Sequence, residues 1–174
     1  HWGVESVPDR IIRALMDATP ISKIGRRAGG PAVVEGWLYN KRSSGKIQFL
    51  IVRDGTGYLQ VVVPRAEVAA EVWEAAEKLT QESSLRVTGL VREEKRAPGG
   101  FEMTASSVTL LGASPDYPIT PKEHGVDYLL DRRHLWIRSE RQQAILRVRH
   151  EVIDAVRDFF NSRGFILTDS PIFT

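Results

Sequence analysis

The sequence contains no cysteine, which excludes disulfide bonds and thiolate metal sites. It has no apolar run that approaches the roughly 18 to 20 residues of a membrane-spanning helix, and no signal peptide is visible at its start. The chain opens on His1 instead of a methionine, so residues 1–20 are interpreted as a processed or added extension with a short helix near residues 11–16. These absences favour a cytoplasmic protein without a membrane partner.

The length and the charge pattern set further bounds. With 174 residues the chain is long for one small barrel and short for two full domains, so one complete domain plus part of another is expected. Residues 23–63 carry seven basic and two acidic side chains, whereas residues 64–83 carry two basic and five acidic ones. This segregation suits a protein that presents one side to a polyanion, and a solvated surface without a partner would show the same pattern.

Residues 36–63 have the pattern of three successive strands, with a turn at residues 43–45 and a hairpin closed by Asp54-Gly-Thr-Gly57. If the hairpin is in register, Arg53 faces Tyr58 and Phe49 faces Val62. Because side chains alternate along a strand, one face becomes a core and the other an open surface, which we call the platform. The predicted platform residues are Phe49, Arg53, Tyr58 and Gln60, and the predicted core residues are Leu50, Val52, Leu59 and Val61.

The platform combines two aromatic rings, a guanidinium and a primary amide. A sheet with this equipment can stack unpaired bases and hydrogen-bond their edges. Aromatic residues also occur in strands because they fit a half-buried pleated surface, and a strand glutamine is often a solvent-facing filler. The hairpin alone therefore leaves both interpretations open.

After the hairpin, apolar residues recur at helical spacing over residues 65–79, and strands resume at residues 85–92 and 101–111. Three strands, one helix and two strands follow the chain order of the five-stranded Greek-key barrel known as the OB-fold. The predicted fold is therefore mainly β, with an OB-fold barrel and one helix over residues 21–112. The second and third strands of such a barrel form its usual ligand surface, which places Phe49 and Gln60 where a ligand would bind.

The remaining sequence predicts a linker followed by the start of another domain. Three prolines fall within residues 113–121, and residues 113–138 are interpreted as a hinge without a metal-ligand spacing. A long helix is expected from Ser139, which forms a capping box with Gln142, to a stop at Gly164. A strand should follow over residues 165–174. The apolar stripe of the long helix is wide, so that helix should be buried on more than one side.

Four motifs occur in one order along the chain. They are Gly36-Trp37 with Lys41-Arg42, residues 49–57 with Gln60, residues 117–138, and the long helix with residues 164–171. This arrangement resembles the class II aminoacyl-tRNA synthetases of the aspartate, asparagine and lysine group. Within that group, residues 96–102 and 117–138 are most similar to the asparaginyl-tRNA synthetase family. The resemblance covers roughly residues 21–174 and implies an incomplete class II α/β catalytic domain over residues 139–174.

The resemblance implies that the platform binds a tRNA anticodon. Phe49 would stack on a central uridine, and Gln60 would hydrogen-bond the Watson-Crick edge of that base. Arg42 and Lys46 would hold phosphates of the anticodon loop or a neighbouring base, and the charged loop at residues 93–96 would touch its flank. The anticodon-binding residues so implied are Phe49, Gln60, Arg42, Lys46, Arg53 and Tyr58.

The same resemblance implies the activity of a larger protein, the ATP- and Mg²⁺-dependent attachment of asparagine to its tRNA. The family's ATP-binding arginines belong to motifs expected beyond residue 174, so the chain alone should be catalytically inactive, with no catalytic residue and no cofactor. Residues 164–171 are similar to the family's dimer-interface element, which implies a homodimer with Phe165 and Pro171 at the interface. Three alternatives stay open: an aspartyl-tRNA synthetase, a free-standing nucleic-acid-binding barrel, and a barrel that binds protein or sugar.

Overall fold

The computed structural model describes residues 18–120 and 122–169. The chain divides into two units, His1–Tyr117 and Pro118–Thr174, each with its own internal contacts. The division falls within the interval interpreted as a hinge. The predicted helix near residues 11–16 lies outside the described residues.

The first unit is a five-stranded barrel. Its strands are β1 (Pro31–Ser44), β2 (Ile47–Arg53), β3 (Tyr58–Pro64), β4 (Ser84–Glu93) and β5 (Phe101–Gly112). The sheet closes because the long β1 pairs with both β2 and β4, while β3 pairs in parallel with β5. This topology confirms the predicted OB-fold. The predicted turn at residues 43–45 is shorter than expected, because β1 continues through Ser44, which pairs with Ile47.

The barrel interior is filled by alternate residues of the strands, as the period-two pattern predicts. Leu50, Val52, Leu59 and Val61 are fully buried there, so the predicted core face is confirmed. Two short elements complete this core. Helix α1 (Ala70–Lys78) contributes Ala76, and a 3-10 helix (Ile21–Arg27) contributes Ile21 and Ile24.

Both of these elements differ from the sequence prediction. The sequence pattern does not predict the 3-10 helix. Helix α1 begins at Ala70 instead of residue 65, because the preceding residues extend the sheet and then turn. Arg65 N–H donates to the Lys46 carbonyl at 2.9 Å, and Glu67 N–H donates to the Pro64 carbonyl at 3.0 Å.

The second unit contains three helices among its described residues: α2 (Val126–Leu130), α3 (Arg133–Trp136) and α4 (Glu140–Asn161). Helix α4 begins after Ser139 as predicted, but the Ser139 side chain forms no capping hydrogen bond, so the expected capping box is absent. Gly164 ends the helix with a φ of 83°. The N–H of Phe165 then donates to the Phe160 carbonyl at 3.2 Å, a hydrogen bond of the Schellman type.

The predicted strand at residues 165–174 is wrong for the part that is described, since residues 165–169 adopt no regular structure. A strand forms only where another strand pairs with it, and no described residue pairs with this segment. The apolar stripe of α4 is also exposed in the single chain, with Val148 at 65% and Val152 at 57%. No helix among the described residues is long and apolar enough to cross a bilayer.

Candidate nucleic-acid interface

The platform forms in the predicted register. Arg53 pairs with Tyr58, Ile51 with Gln60, and Phe49 with Val62. A side-chain turn sets this register locally, because Asp54 Oδ1 accepts hydrogen bonds from Thr56 N–H at 2.8 Å and from Gly57 N–H at 3.2 Å. The platform has two halves, one around Phe49 and one around Gln60, and their neighbouring residues differ.

The first half is an aromatic ring that contacts an arginine. Phe49 is half-buried and pairs across strands with Arg42, whose guanidinium carbon lies 4.4 Å from the centre of the ring. This is the geometry of a cation–π contact. Lys46 lies in the adjoining turn, and both cations are exposed. A half-buried ring covered by one exposed cation, with a second exposed cation in the adjoining turn, matches the chemistry of a base with its phosphates.

The second half of the platform is a polar network that spans three strands. Gln60 Nε2 donates to Glu102 Oε2 at 2.8 Å, and Arg92 Nε donates to Glu102 Oε1 at 2.6 Å. Glu102 is only 3% exposed. Because a carboxylate can only accept hydrogen bonds, the amide nitrogen of Gln60 must face Glu102. The Gln60 carbonyl oxygen is thereby directed away from the carboxylate.

The sequence pattern assigns no role on the platform to Glu102 or Arg92. Alternation along β5 would have placed Glu102 on the outer face, opposite the buried Met103. Its position beside Gln60, however, comes from the parallel pairing of β3 with β5, in which Gln60 is the partner of Glu102. A pairing between residues 42 positions apart leaves no local signal in the sequence.

Arg53 lies on the predicted face, but it is buried there. Its Nη2 donates to Glu82 Oε1 at 2.5 Å, and its guanidinium carbon lies 5.2 Å from the centre of the Tyr39 ring. Tyr39 in turn meets Tyr58 edge-on, with ring centres 5.1 Å apart. Burial acts to lower the pKa of Arg53, but hydrogen bonding and charge from Glu82 outweigh it and raise that pKa.

The basic pair that precedes the first turn points in two directions. Arg42 covers Phe49, whereas Lys41 Nζ donates to the carbonyls of Glu77 at 2.5 Å and Leu79 at 2.6 Å, at the end of helix α1. Loss of water around the ammonium lowers the pKa of Lys41, and the charge of Glu77 offsets part of that shift. Lys41 therefore serves the fold, and it fixes the strand that carries Arg42.

Replacement of Lys41 with methionine is expected to lower the free energy of unfolding by about 1 kcal/mol, because its ammonium donates directly to two carbonyls at the helix end and a hydrogen bond contributes roughly 0.5 to 1.5 kcal/mol net. Urea denaturation followed by circular dichroism measures this loss. Lys78→Met is the control, because Lys78 lies in the last turn of the same helix and its ion pair with Glu74 is exposed. Equal effects of the two substitutions would contradict the proposed link.

Comparison with known proteins shows what this chain is similar to. A model of an OB-fold nucleic acid binding domain matches residues 32–111, and a model of class II tRNA synthetases (D, K and N) matches residues 125–174. The asparagine–tRNA ligases of Desulforamulus reducens and Pelotomaculum thermopropionicum are 55% and 53% identical to this chain over 91% of its length. Residues 125–174 thus match the class II tRNA synthetase family, and most of the chain is homologous to asparagine–tRNA ligases.

Solved structures of this family agree. Asparaginyl-tRNA synthetase from Pyrococcus horikoshii, complexed with asparaginyl-adenylate, matches 90% of the chain with a TM-score of 0.82 and 34% identity. Aspartyl-tRNA synthetase from Entamoeba histolytica matches 88% with a TM-score of 0.76, but its 19% identity indicates a shared fold alone. The chain spans about 37% of the length of the two asparagine–tRNA ligases.

The second unit contains the two residues that the sequence resemblance implies at a dimer interface. Phe165, one of the two residues implied at a dimer interface, is 62% exposed, and its ring centre lies 5.4 Å from that of Phe160. Pro171, the other, lies outside the described residues. The apolar residues of α4 and the following segment thus form an uncovered surface in the single chain.

Proposed function

We propose that the platform binds the anticodon loop of a tRNA with uridine at its centre, as part of an asparagine–tRNA ligase. The observation that carries this proposal is the Gln60 amide, which Glu102 orients on the same open face as Phe49. The relatives that share about half of this sequence are asparagine–tRNA ligases. We expect the whole protein to attach asparagine to tRNA with ATP and Mg²⁺, and to do so in the cytoplasm.

The aromatic half of the platform supports base stacking. Phe49 is held by a strand, so its ring loses little freedom when a base stacks on it. In the free protein Arg42 lies over that ring. When a base takes this position, the guanidinium moves aside to a phosphate of the same loop. Lys46, in the turn next to it, supplies a second phosphate contact.

The amide half supports the choice of uracil. Uracil carries an N3–H between two carbonyl oxygens, whereas N3 of cytosine is an acceptor without a hydrogen. Because Glu102 holds the Gln60 nitrogen, the Gln60 oxygen is the atom left to meet N3. It accepts a hydrogen bond from uracil and opposes the lone pair of cytosine. Glu102 therefore acts through Gln60 as a positioning residue.

We assign Arg53 and Tyr58 a different role from that of Phe49. The buried pair of Arg53 with Glu82, together with the contact between Tyr39 and Tyr58, fixes the end of the hairpin next to Gln60. These residues stabilise the position of the hairpin and do not bind a phosphate. The loop at residues 93–96, which follows Arg92, remains our candidate for contact with the flank of the anticodon loop.

The exposed apolar face of α4 supports the proposal of a homodimer. A contiguous apolar patch of this kind marks an interaction site in a protein that is folded and in solution. The class II synthetase match over residues 125–174 also disfavours a free-standing barrel, which would not need this unit. We therefore propose that a second copy, or the rest of the same protein, covers Val148, Val152 and Phe165.

The central experiment titrates the chain with anticodon stem-loops that carry U or C at the middle position, at one fixed salt concentration. The wild-type protein should bind the U form about tenfold more tightly, since one hydrogen bond and one avoided repulsion are worth roughly 1 to 1.5 kcal/mol. Glu102→Gln and Gln60→Ala should reduce this ratio to about threefold or less, because they release or remove the oriented amide.

Glu35→Gln is the matched control for Glu102→Gln. Glu35 is also a strand carboxylate that accepts from an arginine, Arg86 Nε at 2.6 Å, but it lies on the pair β1–β4. It should leave the U-to-C ratio unchanged. Equal wild-type affinities for both stem-loops would overturn the proposed function, and an unchanged ratio in Glu102→Gln would remove the positioning role.

A further inference from the structure

A half-open cavity of about 540 Å³ lies next to the platform and has no assigned role. The 3-10 helix, the turn between β2 and β3, and the loop before β5 form its walls. Tyr58 and Phe101 line it on the barrel side, and Lys23 and Arg26 line it on the helix side. Cavities of roughly 300 to 1,000 Å³ are typical of sites for small molecules or single nucleotides.

The cavity is built on rigid contacts. Ile21 N–H donates to Asp54 Oδ2 at 2.7 Å, and Ser22 N–H donates to Thr56 Oγ1 at 3.0 Å, so the 3-10 helix is fastened to the hairpin turn. On its other side, Gly25 lies against the Phe101 ring so closely that an added Cβ would be 2.8 Å from Cζ. The cavity therefore exists before any ligand binds.

The charge of the cavity is positive. Lys23 and Arg26 are exposed, and the side chain of neither has an ion-pair or hydrogen-bond partner among the described residues. None of the described residues that line the cavity is acidic. Glu102, which follows Phe101, is paired with Arg92. Two cations and two aromatic side chains in one cavity match a nucleotide, with its phosphate on the cations and its base or sugar against the rings.

The cavity is also continuous with the platform. Tyr58 belongs to both, because it lines the cavity and pairs with Arg53 on the platform. A strand of RNA that leaves the platform on the Gln60 side therefore reaches Lys23 and Arg26 next. We infer that this cavity binds one further nucleotide of the same tRNA, flanking the anticodon, whose phosphates contact Lys23 and Arg26. This inference rests on the proposed function.

The test is the salt dependence of binding by Lys23→Ala/Arg26→Ala. At about 0.1 M salt, the double variant should bind a complete anticodon stem-loop roughly tenfold more weakly, and the slope of log K against log salt should fall by about 1.4, or about 0.7 for each lost phosphate contact. The U-to-C ratio should stay at the wild-type value. A trinucleotide with central U, which lacks the flanking nucleotide, should lose less than about twofold in affinity.

Arg65→Ala/Lys78→Ala is the control, because it removes two charges from the acidic segment of the same unit. It should leave the slope nearly unchanged. If Lys23→Ala/Arg26→Ala changes neither slope nor affinity while the wild type still prefers U, the cavity inference is wrong and the proposed function stands. An equal loss for trinucleotide and stem-loop would also overturn the inference, because the cations would then contact the anticodon itself. If the wild type binds no stem-loop, both proposals fail.

Discussion

Replacement of Glu82 with alanine is expected to lower the free energy of unfolding by about 3 to 5 kcal/mol, the usual cost of breaking a buried ion pair from one side. The side chains of Arg53 and Glu82 are only 11% and 5% exposed. Without this carboxylate, the guanidinium of Arg53 keeps its charge in a place that water hardly reaches. Urea denaturation followed by circular dichroism gives the loss directly.

Two further variants make this prediction specific. Glu74→Ala breaks the pair with Lys78, whose side chains are 61% and 79% exposed, and should cost less than about 0.5 kcal/mol. Arg53→Met/Glu82→Leu removes both charges and should cost less than Glu82→Ala alone, since no buried charge is left behind. If Glu82→Ala is as mild as Glu74→Ala, the pair does not hold the hairpin, and the role assigned to Arg53 and Tyr58 is lost.

The individual strands and the hairpin register were predictable because their signals are local. Asp54-Gly-Thr-Gly57 encodes a turn through its own side-chain hydrogen bonds, and the alternation of the flanking strands then determines which residues face the core. The end of α4 was predictable for the same reason, since Gly164 allows the positive φ that stops a helix. Each of these features depends on residues fewer than about ten positions apart.

The polar partners of the platform were not predictable, because closure of the barrel brings them together. Glu82 meets Arg53 across 29 positions, and Glu102 meets Gln60 across 42. Arg53 was therefore expected to be open, although the loop before β4 covers it. The predicted strand after Gly164 failed for a related reason, because strand formation depends on a pairing partner and not on residue type alone.

Phe49 combines a position set by the local pattern with a contact from another strand. Its place on the open face follows from the local pattern, and it is confirmed by the register. Its partner Arg42 was predicted to hold phosphates, yet in the free protein it covers the ring. A base that stacks on Phe49 must first displace a cation–π contact worth about 0.5 to 1 kcal/mol at an exposed site. The displaced guanidinium then becomes available to the RNA backbone.

Phe49→Ala is accordingly expected to weaken binding of the U-containing stem-loop by about 1 to 3 kcal/mol, or roughly 5- to 150-fold, as the loss of one base–aromatic stack predicts. Fluorescence anisotropy at fixed salt measures the change. Phe49→Trp should retain most of the affinity because it keeps an aromatic surface. The slope of log K against log salt should stay the same in both variants, since neither removes a phosphate contact.

Phe159→Ala is the control for Phe49→Ala. Phe159 is also a half-exposed ring in contact with an arginine, since the guanidinium carbon of Arg163 lies 3.5 Å from the ring centre. It lies on α4 in the other unit. Its removal should leave stem-loop affinity unchanged. Wild-type affinity in Phe49→Ala would show that the ring stacks no base. Arg42 would then keep its place on Phe49 in the complex, and recognition of the base would rest on Gln60 alone.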